Sequence, residues 1–526
     1  MTVFRRIAVL TVCGAVAALH AQVKERPLPR LENKDGRYAL MVDGAPFLML
    51  GAQAHNSSGW PAMLPKVWPA IEYLHANTLE IPIYWEQFEP RQGQFDYSVI
   101  DTILTQAREH HVRLDLLWFG TYKNGSQHYM PEWMKLKPEM YTHLVDKNGH
   151  PVDSPSPFCD ASLQADIRAF TAFMRHLKSA DPEHTVIIVQ VENEAGTWGT
   201  LRDYSPAAQK LFEGPVPPEV RTSMGVPPAA ANWQEAFGPE AEVNFHAWAV
   251  AKYVGKVAAA GRAVYPLPLY TNAALRDPFK GAPGSYESGG PTDNVIPIWK
   301  AEAPAIDIVT PDIYMTDPAA YLKVLELYHR NDNPLFVPET IGSAGLAKFF
   351  FSALGMQAIG FSPFGLDYSE VVPGTRDEFL APTAQNYKLI APMMRDIARL
   401  NFEGRLQATA EQKGQPKQEF SFGAWSAEIS YGAGRGVRNP AGNPNANGRV
   451  LVAHIKDNEF LVTGYNCTVD FRPAGAGKQR QFLKVEEGTY ENGTFKFIRI
   501  WNGDETDYGL NFHDEPTVLR VSLATY

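Results

Sequence analysis

Cysteine is scarce, with three residues in 526, at positions 13, 159 and 467. Cys13 lies in an N-terminal apolar run. Cys159 and Cys467 are too far apart in sequence to define a disulfide framework, so both are expected as free, partly buried thiols. No Cys/His spacing matches a zinc site, and neither a Walker-type phosphate loop nor a dinucleotide-binding glycine fingerprint follows any strand. No metal and no cofactor are therefore expected. Positive charge is also in deficit: 48 Lys and Arg stand against 58 Asp and Glu, a net charge of −10. That balance argues against nucleic acid and against polyanionic substrates. Long apolar runs are missing as well. The only candidate, residues 7–19, follows Arg5 and Arg6 and ends in small residues through Ala21. That is the pattern of a secretory signal, too short for a confident membrane span. The expectation is a signal peptide at 1–21, export to the periplasm or beyond, and no membrane attachment after cleavage.

What is abundant is a core. Hydrophobic residues make up 45% of the chain, and aromatics 12%. Such a length calls for two or three domains. Short β-branched runs alternate with stretches of helical period. The strands are expected at 47–51, 78–84, 112–118, 186–191, 267–272, 306–314, 333–340 and 357–363. The helices between and after them are expected at 65–76, 97–110, 160–179, 244–260, 319–330, 344–354 and 384–400. Eight strands alternating with helices predict an α/β fold, a (β/α)8 TIM barrel, because parallel strands need a crossover between them. The Pro-rich stretch 203–233 reads as an irregular insertion. From about residue 403 the texture changes to short alternating runs separated by turn signals, which predicts a smaller antiparallel β-sandwich. The domain division is thus 22–406 and 407–526.

Two strands end in acids. The run TVIIVQVENEAG, residues 185–196, passes from continuous β-branched apolar residues into Glu192, Asn193 and Glu194; the run NPLFVPET, 333–340, ends on Glu339. A buried carboxylate needs partners or a purpose, and barrel active sites lie at the C-terminal ends of strands. Two carboxyl groups across a barrel mouth are the minimum for glycoside hydrolysis: one protonates the leaving oxygen, the other attacks or activates water. The bland alternative for either residue is a structural ion pair.

Three motifs coincide: Asn193-Glu194 after strand four, Glu339 after strand seven, and Trp85-x-x-x-Glu89-Pro90-x-x-Gly93-x-Phe95-Asp96 after strand two. Together they resemble the retaining glycoside hydrolases of clan A. Gln190-Val191-Glu192-Asn193-Glu194-Ala195-Gly196 and Pro131-Glu132-Trp133-Met134 are similar to segments of glycoside hydrolase family 35, the β-galactosidases, in a bacterial branch with a C-terminal β-sandwich. The resemblance implies Glu194 as acid/base, Glu339 as nucleophile, Asn193 on the sugar 2-hydroxyl and Tyr314 as a donor to the nucleophile. Glu192 reads as structural. Further substrate contacts are expected from Tyr84, Trp118, Lys123, Asn124 and Phe364, with Trp60, Trp118, Trp198 and Phe364 forming an outer aromatic set that grips the aglycone. The chain departs from the family after strand two and after strand three. There Trp118-Phe119-Gly120-Thr121-Tyr122-Lys123-Asn124 replaces a segment whose glutamate binds galactose, and Lys123 and Asn124 are the candidates to replace it. The implied activity is a metal-free, retaining exo-β-galactosidase acting on oligosaccharides of plant xyloglucan type. A different clan A β-glycosidase, an arabinosidase or glucosidase, is the enzymatic alternative; a carbohydrate-binding protein on an inactive barrel is the other. The partner is an oligosaccharide, and a homodimer is left open.

Overall fold

The computed structural model describes residues 26–370, 375–432, 439–475 and 477–526; the expected signal peptide at 1–21 lies outside them. Eight parallel strands form the centre: β1 (Met49–Gln53), β2 (Thr78–Tyr84), β3 (Arg113–Lys123), β4 (Val186–Asn193), β5 (Leu269–Ala274), β6 (Ile308–Ile313), β7 (Phe336–Val337, continued by Glu339–Thr340) and β8 (Gly360–Phe361). Neighbours in sequence are neighbours in the sheet, and the ring closes at β7. Pro338 divides that strand, because proline has no N–H to donate to a ladder. The segment before it pairs with β8, Phe336 opposite Gly360; the segment after it pairs with β6, Glu339 opposite Asp312. Closure thus places Glu339 directly beside the end of β6.

Eight helical crossovers surround the ring: α1 (Leu64–Leu74), α2 (Ser98–Glu109), α3 (Asp160–Ala180), α4 (Ala241–Val264), α5 (Ile296–Glu302), α6 (Pro318–Tyr328), α7 (Phe349–Gly355) and α8 (Arg376–Ile390). The period of two along each strand sorts side chains into two cores. Leu117, Phe119, Ile187, Tyr270, Ile308 and Phe336 join an inner cluster, which the N-terminal strands Arg37–Val42 and Ala45–Phe47 plug from below through Leu40, Val42 and Phe47. Leu114, Leu116, Trp118 and Val191 join the outer cluster against the helices.

Three stretches differ from the sequence expectation, the first being α5, a helix at Ile296–Glu302 where none was expected. The insertion at 203–233 holds three short helices, Pro206–Phe212, Pro218–Met224 and Trp233–Phe237. Pro206 and Pro218 sit at the first helical position, where a missing N–H costs nothing, and Ser205 and Asn232 cap two of the starts. The closing helix expected at 384–400 is α8 followed, after a turn at Ala391–Met393, by Met394–Phe402.

Beyond Leu406 lie a six-stranded and a four-stranded antiparallel sheet. Phe420, Trp425, Val452, Phe460, Phe471 and Leu519 pack between them. Leu451, Leu461 and Tyr465 instead join the outer barrel core. Lys348 donates to the Glu411 carbonyl at 2.8 Å, and Arg449 to Asn386 Oδ1 at 2.8 Å, so the sandwich is pinned to the barrel by polar contacts as well. Cys159 and Cys467 are buried free thiols.

Candidate active site

β4 is buried along its whole length and does not end regularly. Glu192 (φ 60) and Glu194 (φ 45) both adopt left-handed backbone, a conformation that costs a non-glycine residue about 1–2 kcal/mol. The two kinks send neighbouring acids to different places. Glu192 turns towards the helix layer, where its Oε2 accepts the Tyr122 N–H at 2.6 Å and its carboxyl meets that of Asp166 on α3. Asp166 also accepts Trp118 Nε1 (3.1 Å) and Thr121 Oγ1 (2.7 Å). Burial, then the Asp166 charge, pushes Glu192 well above the carboxylate range. Two buried carboxyls in contact share a proton, so Glu192 is part of the scaffold, as its position in the motif suggests.

Glu194 turns into the barrel mouth. Its backbone N–H donates to Asn272 Oδ1 at 2.8 Å, and Asn272 Nδ2 donates to Asp312 Oδ2 at 2.7 Å. One carboxamide on β5 thereby ties the ends of β4 and β6. The Glu194 side chain is only 9% exposed. Burial first, then the nearby Glu339 charge, pushes its carboxyl up to about 7, while Lys123 acts in the opposite direction. It therefore carries its proton where an ordinary glutamate has lost it.

Glu339 is held differently. Tyr314, just past the end of β6, donates its hydroxyl to Glu339 Oε1 at 2.5 Å. Oε2 has no hydrogen-bond partner. Burial, Glu339 and Glu194 push Asp312 well up, so it too holds a proton. Three acids thus converge, and two of them, Glu194 and Asp312, have their carboxyls raised by burial and by the Glu339 charge.

Lys123 enters through a bulge. Along β3 and β4, Trp118 lies opposite Val191 and Lys123 opposite Asn193, so five residues on one strand match two on the other. Gly120 allows the bulge: a Cβ there would lie 2.4 Å from Trp118 Nε1 and 2.7 Å from Glu192 Oε1. Lys123 emerges buried, its ammonium 4.9 Å from the Phe119 ring centre, and donates to Asn193 Oδ1 at 2.7 Å. Asn193 Nδ2 remains without a partner, a buried donor. Asn124 is exposed at the rim, its N–H bonded to the Asn193 carbonyl.

The structure corrects one expected substrate contact. Trp118 is wholly buried and packs among Trp85, Phe88, Phe170 and Phe173 on the outer face of the barrel, away from the mouth. Strand alternation is the reason: Leu117 and Phe119 point inward, and Trp118 between them points to the helices. Tyr84 is buried too, with its hydroxyl accepting the Gly59 N–H and its ring stacked between Trp60 and Tyr129, so its ring supports Trp60 from below. Phe364 is half-buried at the end of β8, edge-on to His55. Sequence reasoning assigned no role to Asn272 and Asp312, although both are polar ends of apolar strands, the signal that singled out Glu194. It also missed the His55 and Asp367 pair that joins the loops after β1 and β8 at 3.0 Å.

Residues 68–263 match the family described as Beta-galactosidase, glycoside hydrolase family 42, and residues 383–513 match a domain of unknown function, DUF5597. No curated protein matches the chain. Among solved structures, the β-galactosidase of Bacillus circulans sp. alkalophilus is similar at a TM-score of 0.51 and 11% identity, over 90% of this chain and 99% of that one. The cold-adapted β-galactosidase of Rahnella sp. R3 is similar at a TM-score of 0.50 and 13% identity, over 70% of this chain and 59% of that one. At these identities the likeness is one of fold, and this chain spans about three fifths of the Rahnella enzyme. Family match and fold agree on a glycoside hydrolase of clan A architecture.

Proposed function

We propose that this chain is a retaining exo-β-galactosidase that releases terminal β-linked galactose from oligosaccharides by double displacement. The observation that carries the reading is the unequal treatment of two acids at one barrel mouth: Glu194 kept protonated by burial and by Glu339, and Glu339 held by the Tyr314 hydroxyl. In the first step Glu339 Oε2 attacks the anomeric carbon while Glu194 gives its proton to the glycosidic oxygen, and the leaving sugar departs as an alcohol. In the second step Glu194, now ionised, takes a proton from water, which displaces Glu339 and restores the original anomeric configuration. Asn193 has its carbonyl oxygen committed to Lys123, so its free Nδ2 is the group to donate to the sugar 2-hydroxyl. Asp312, protonated, steadies Asn272 and adds no charge to the mouth.

The finer identity rests on the QVENEAG motif, which favours family 35, with the substrate drawn from galactosylated xyloglucan fragments and the enzyme exported to the periplasm or beyond. Lys123 stands where that family has a galactose-binding glutamate, and this favours a second reading, an arabinosidase or glucosidase of the same clan. The test is hydrolysis of a panel of nitrophenyl β-glycosides, including the galactoside, by the wild type and by Glu339→Ala with and without azide. An inactive variant rescued by azide, yielding α-galactosyl azide, supports both nucleophile and sugar. Wild-type activity only on another glycoside replaces the sugar assignment. Full activity of Glu339→Ala refutes the two-glutamate mechanism.

A further inference from the structure

The ends of β5 and β6 bring one further group against the acid/base. On β6, Ile308 joins the inner core, and Val309 and Ile313 the outer one, so the period of two turns Asp312 into the barrel. On β5, Tyr270 is inner and Leu269 outer, and Asn272 follows Tyr270 inward. Asp312 is buried, lies opposite Glu339 in the ladder, and its carboxyl meets that of Glu194. The two-step chemistry above gives this third carboxyl no part beyond steadying Asn272.

The hydrogen bonds fix where the Asp312 proton lies. The Glu194 backbone N–H can only donate, so Asn272 turns its oxygen to that N–H and its Nδ2 to Asp312. Asp312 Oδ2 therefore accepts. Oδ1 is buried and has no N–H or hydroxyl partner, which leaves it as the oxygen that carries the proton. Two carboxyls in contact need a proton between them. Lys123, whose charge bears on both acids, already donates to Asn193 Oδ1. Tyr270 on β5, Tyr314 beyond β6 and Tyr328 at the end of α6 also feel the Asp312 charge, and burial keeps each a neutral phenol.

We propose that Asp312 is the positioning residue of the acid/base: its Oδ1–H donates to the Glu194 carboxylate that exists between the two steps. The inference rests on the double-displacement reading above and deepens it. In the first step the Glu194 proton passes to the glycosidic oxygen, the bond from that oxygen to the anomeric carbon breaks, and the bond from Glu339 Oε2 forms. Asp312 keeps its own proton and turns it to the new negative charge. The charge is thus never left without a donor in a buried site, where an unpaired carboxylate is costly and a charge-assisted hydrogen bond is strong. In the second step Glu194 takes a proton from water, and Asp312 ends as it began.

The test separates the two steps with two substrates, a glycosyl fluoride and an unactivated alkyl glycoside. Both carry the sugar that the wild type cleaves fastest, galactose on the reading above. The fluoride needs no proton in the first step and needs the Glu194 carboxylate in the second; the alkyl glycoside needs Glu194 in both. Asp312→Ala removes the donor. On the fluoride it should lower kcat by about 10–100-fold, the worth of one hydrogen bond to a charged group. KM should fall with it, so that kcat/KM is kept and the glycosyl-enzyme accumulates. On the alkyl glycoside kcat/KM itself should fall, and its alkaline limb should move above the wild-type position near 7, because the Glu194 carboxylate is harder to form. Asp312→Asn, which keeps a donor and the shape of the side chain, should recover most of both losses. A fluoride kcat/KM that falls in step with kcat would mean that Asp312 acts only through the fold of the mouth, and would overturn the proposal. So would an alkaline limb unmoved in Asp312→Ala, or an Asp312→Asn variant as impaired as Asp312→Ala. If Asp312→Ala does not fold, Asp312→Asn decides alone: a loss within a few-fold supports the donor, and one of about a hundredfold overturns it. A wild type that cleaves no β-glycoside is a failure of the hydrolase reading, and the inference falls with it.

Discussion

Replacing Glu194 by glutamine removes one ionisable proton and little else. The side chain keeps its volume, and the backbone bonds to Asn272 and Gly125 do not involve it. The wild-type carboxyl is raised from 4.5 to about 7, a bias on the order of 3 kcal/mol towards the protonated form at about 1.4 kcal/mol per unit. At pH 6 about nine molecules in ten then carry the proton, against about one in thirty for an unshifted glutamate. Two results follow. The alkaline limb of kcat/KM, which in the wild type should fall through a pKa near 7, disappears in Glu194→Gln, because no acid is left to titrate. The loss of rate depends on the leaving group: about 10²–10⁴-fold for an unactivated alkyl galactoside that needs a proton, and far less for the first step with galactosyl fluoride. The assay is steady-state hydrolysis of both substrates from pH 4 to 9. A limb that persists in the variant, or one loss common to both substrates, would refute the assignment of the acid. Stability gives an independent reading. A carboxyl whose folded pKa is raised binds its proton more tightly in the native state, so stability declines as pH rises from the unfolded value near 4.5 through about 7. Glu194→Gln should therefore be more stable than wild type at pH 8, and the difference should vanish below pH 4.5.

Tyr314→Phe removes the donor 2.5 Å from Glu339 and leaves the ring. A hydrogen bond to a charged group contributes about 1.5–3 kcal/mol, so kcat/KM should fall by about 10–100-fold with the melting temperature little changed; full activity would show that the hydroxyl does not serve the nucleophile. Trp118→Ala should behave as a core deletion, costing about 3–5 kcal/mol in denaturant unfolding. A variant of normal stability with a raised KM would restore Trp118 to the mouth and contradict its packing against α3.

The barrel was legible because its signals are local. β2 was read at its exact bounds and β4 to within two residues at its end, since a β-branched run between helical stretches leaves few alternatives. The short strands were less distinct: β7 and β8 pair over two residues at a time, and the run around them is longer than the ladder. The insertion at 203–233 was misread because proline marks both the end of a helix and its first turn: Pro206 and Pro218 each open a helix, and only the first has a capping side chain, Ser205, to signal it. Trp118 was misplaced for a related reason. Its strand is apolar on both faces, so the inward and outward sets have the same composition.

By itself the sequence determined that this chain alternates strands and helices, that Glu194 and Glu339 end strands four and seven, and that a second, antiparallel domain follows. These are properties of pattern, and pattern is written residue by residue. Tertiary structure alone decided what the acids are. Whether Glu194 keeps its proton depends on burial and on Glu339, which is brought near only when the barrel closes at the divided strand β7. Glu192 and Glu194, two residues apart, receive opposite roles from two left-handed backbone turns and a bulge across the ladder. Electrostatic energies fall off with distance through space and are blind to distance along the chain, so the division of labour between these glutamates exists only in the folded barrel.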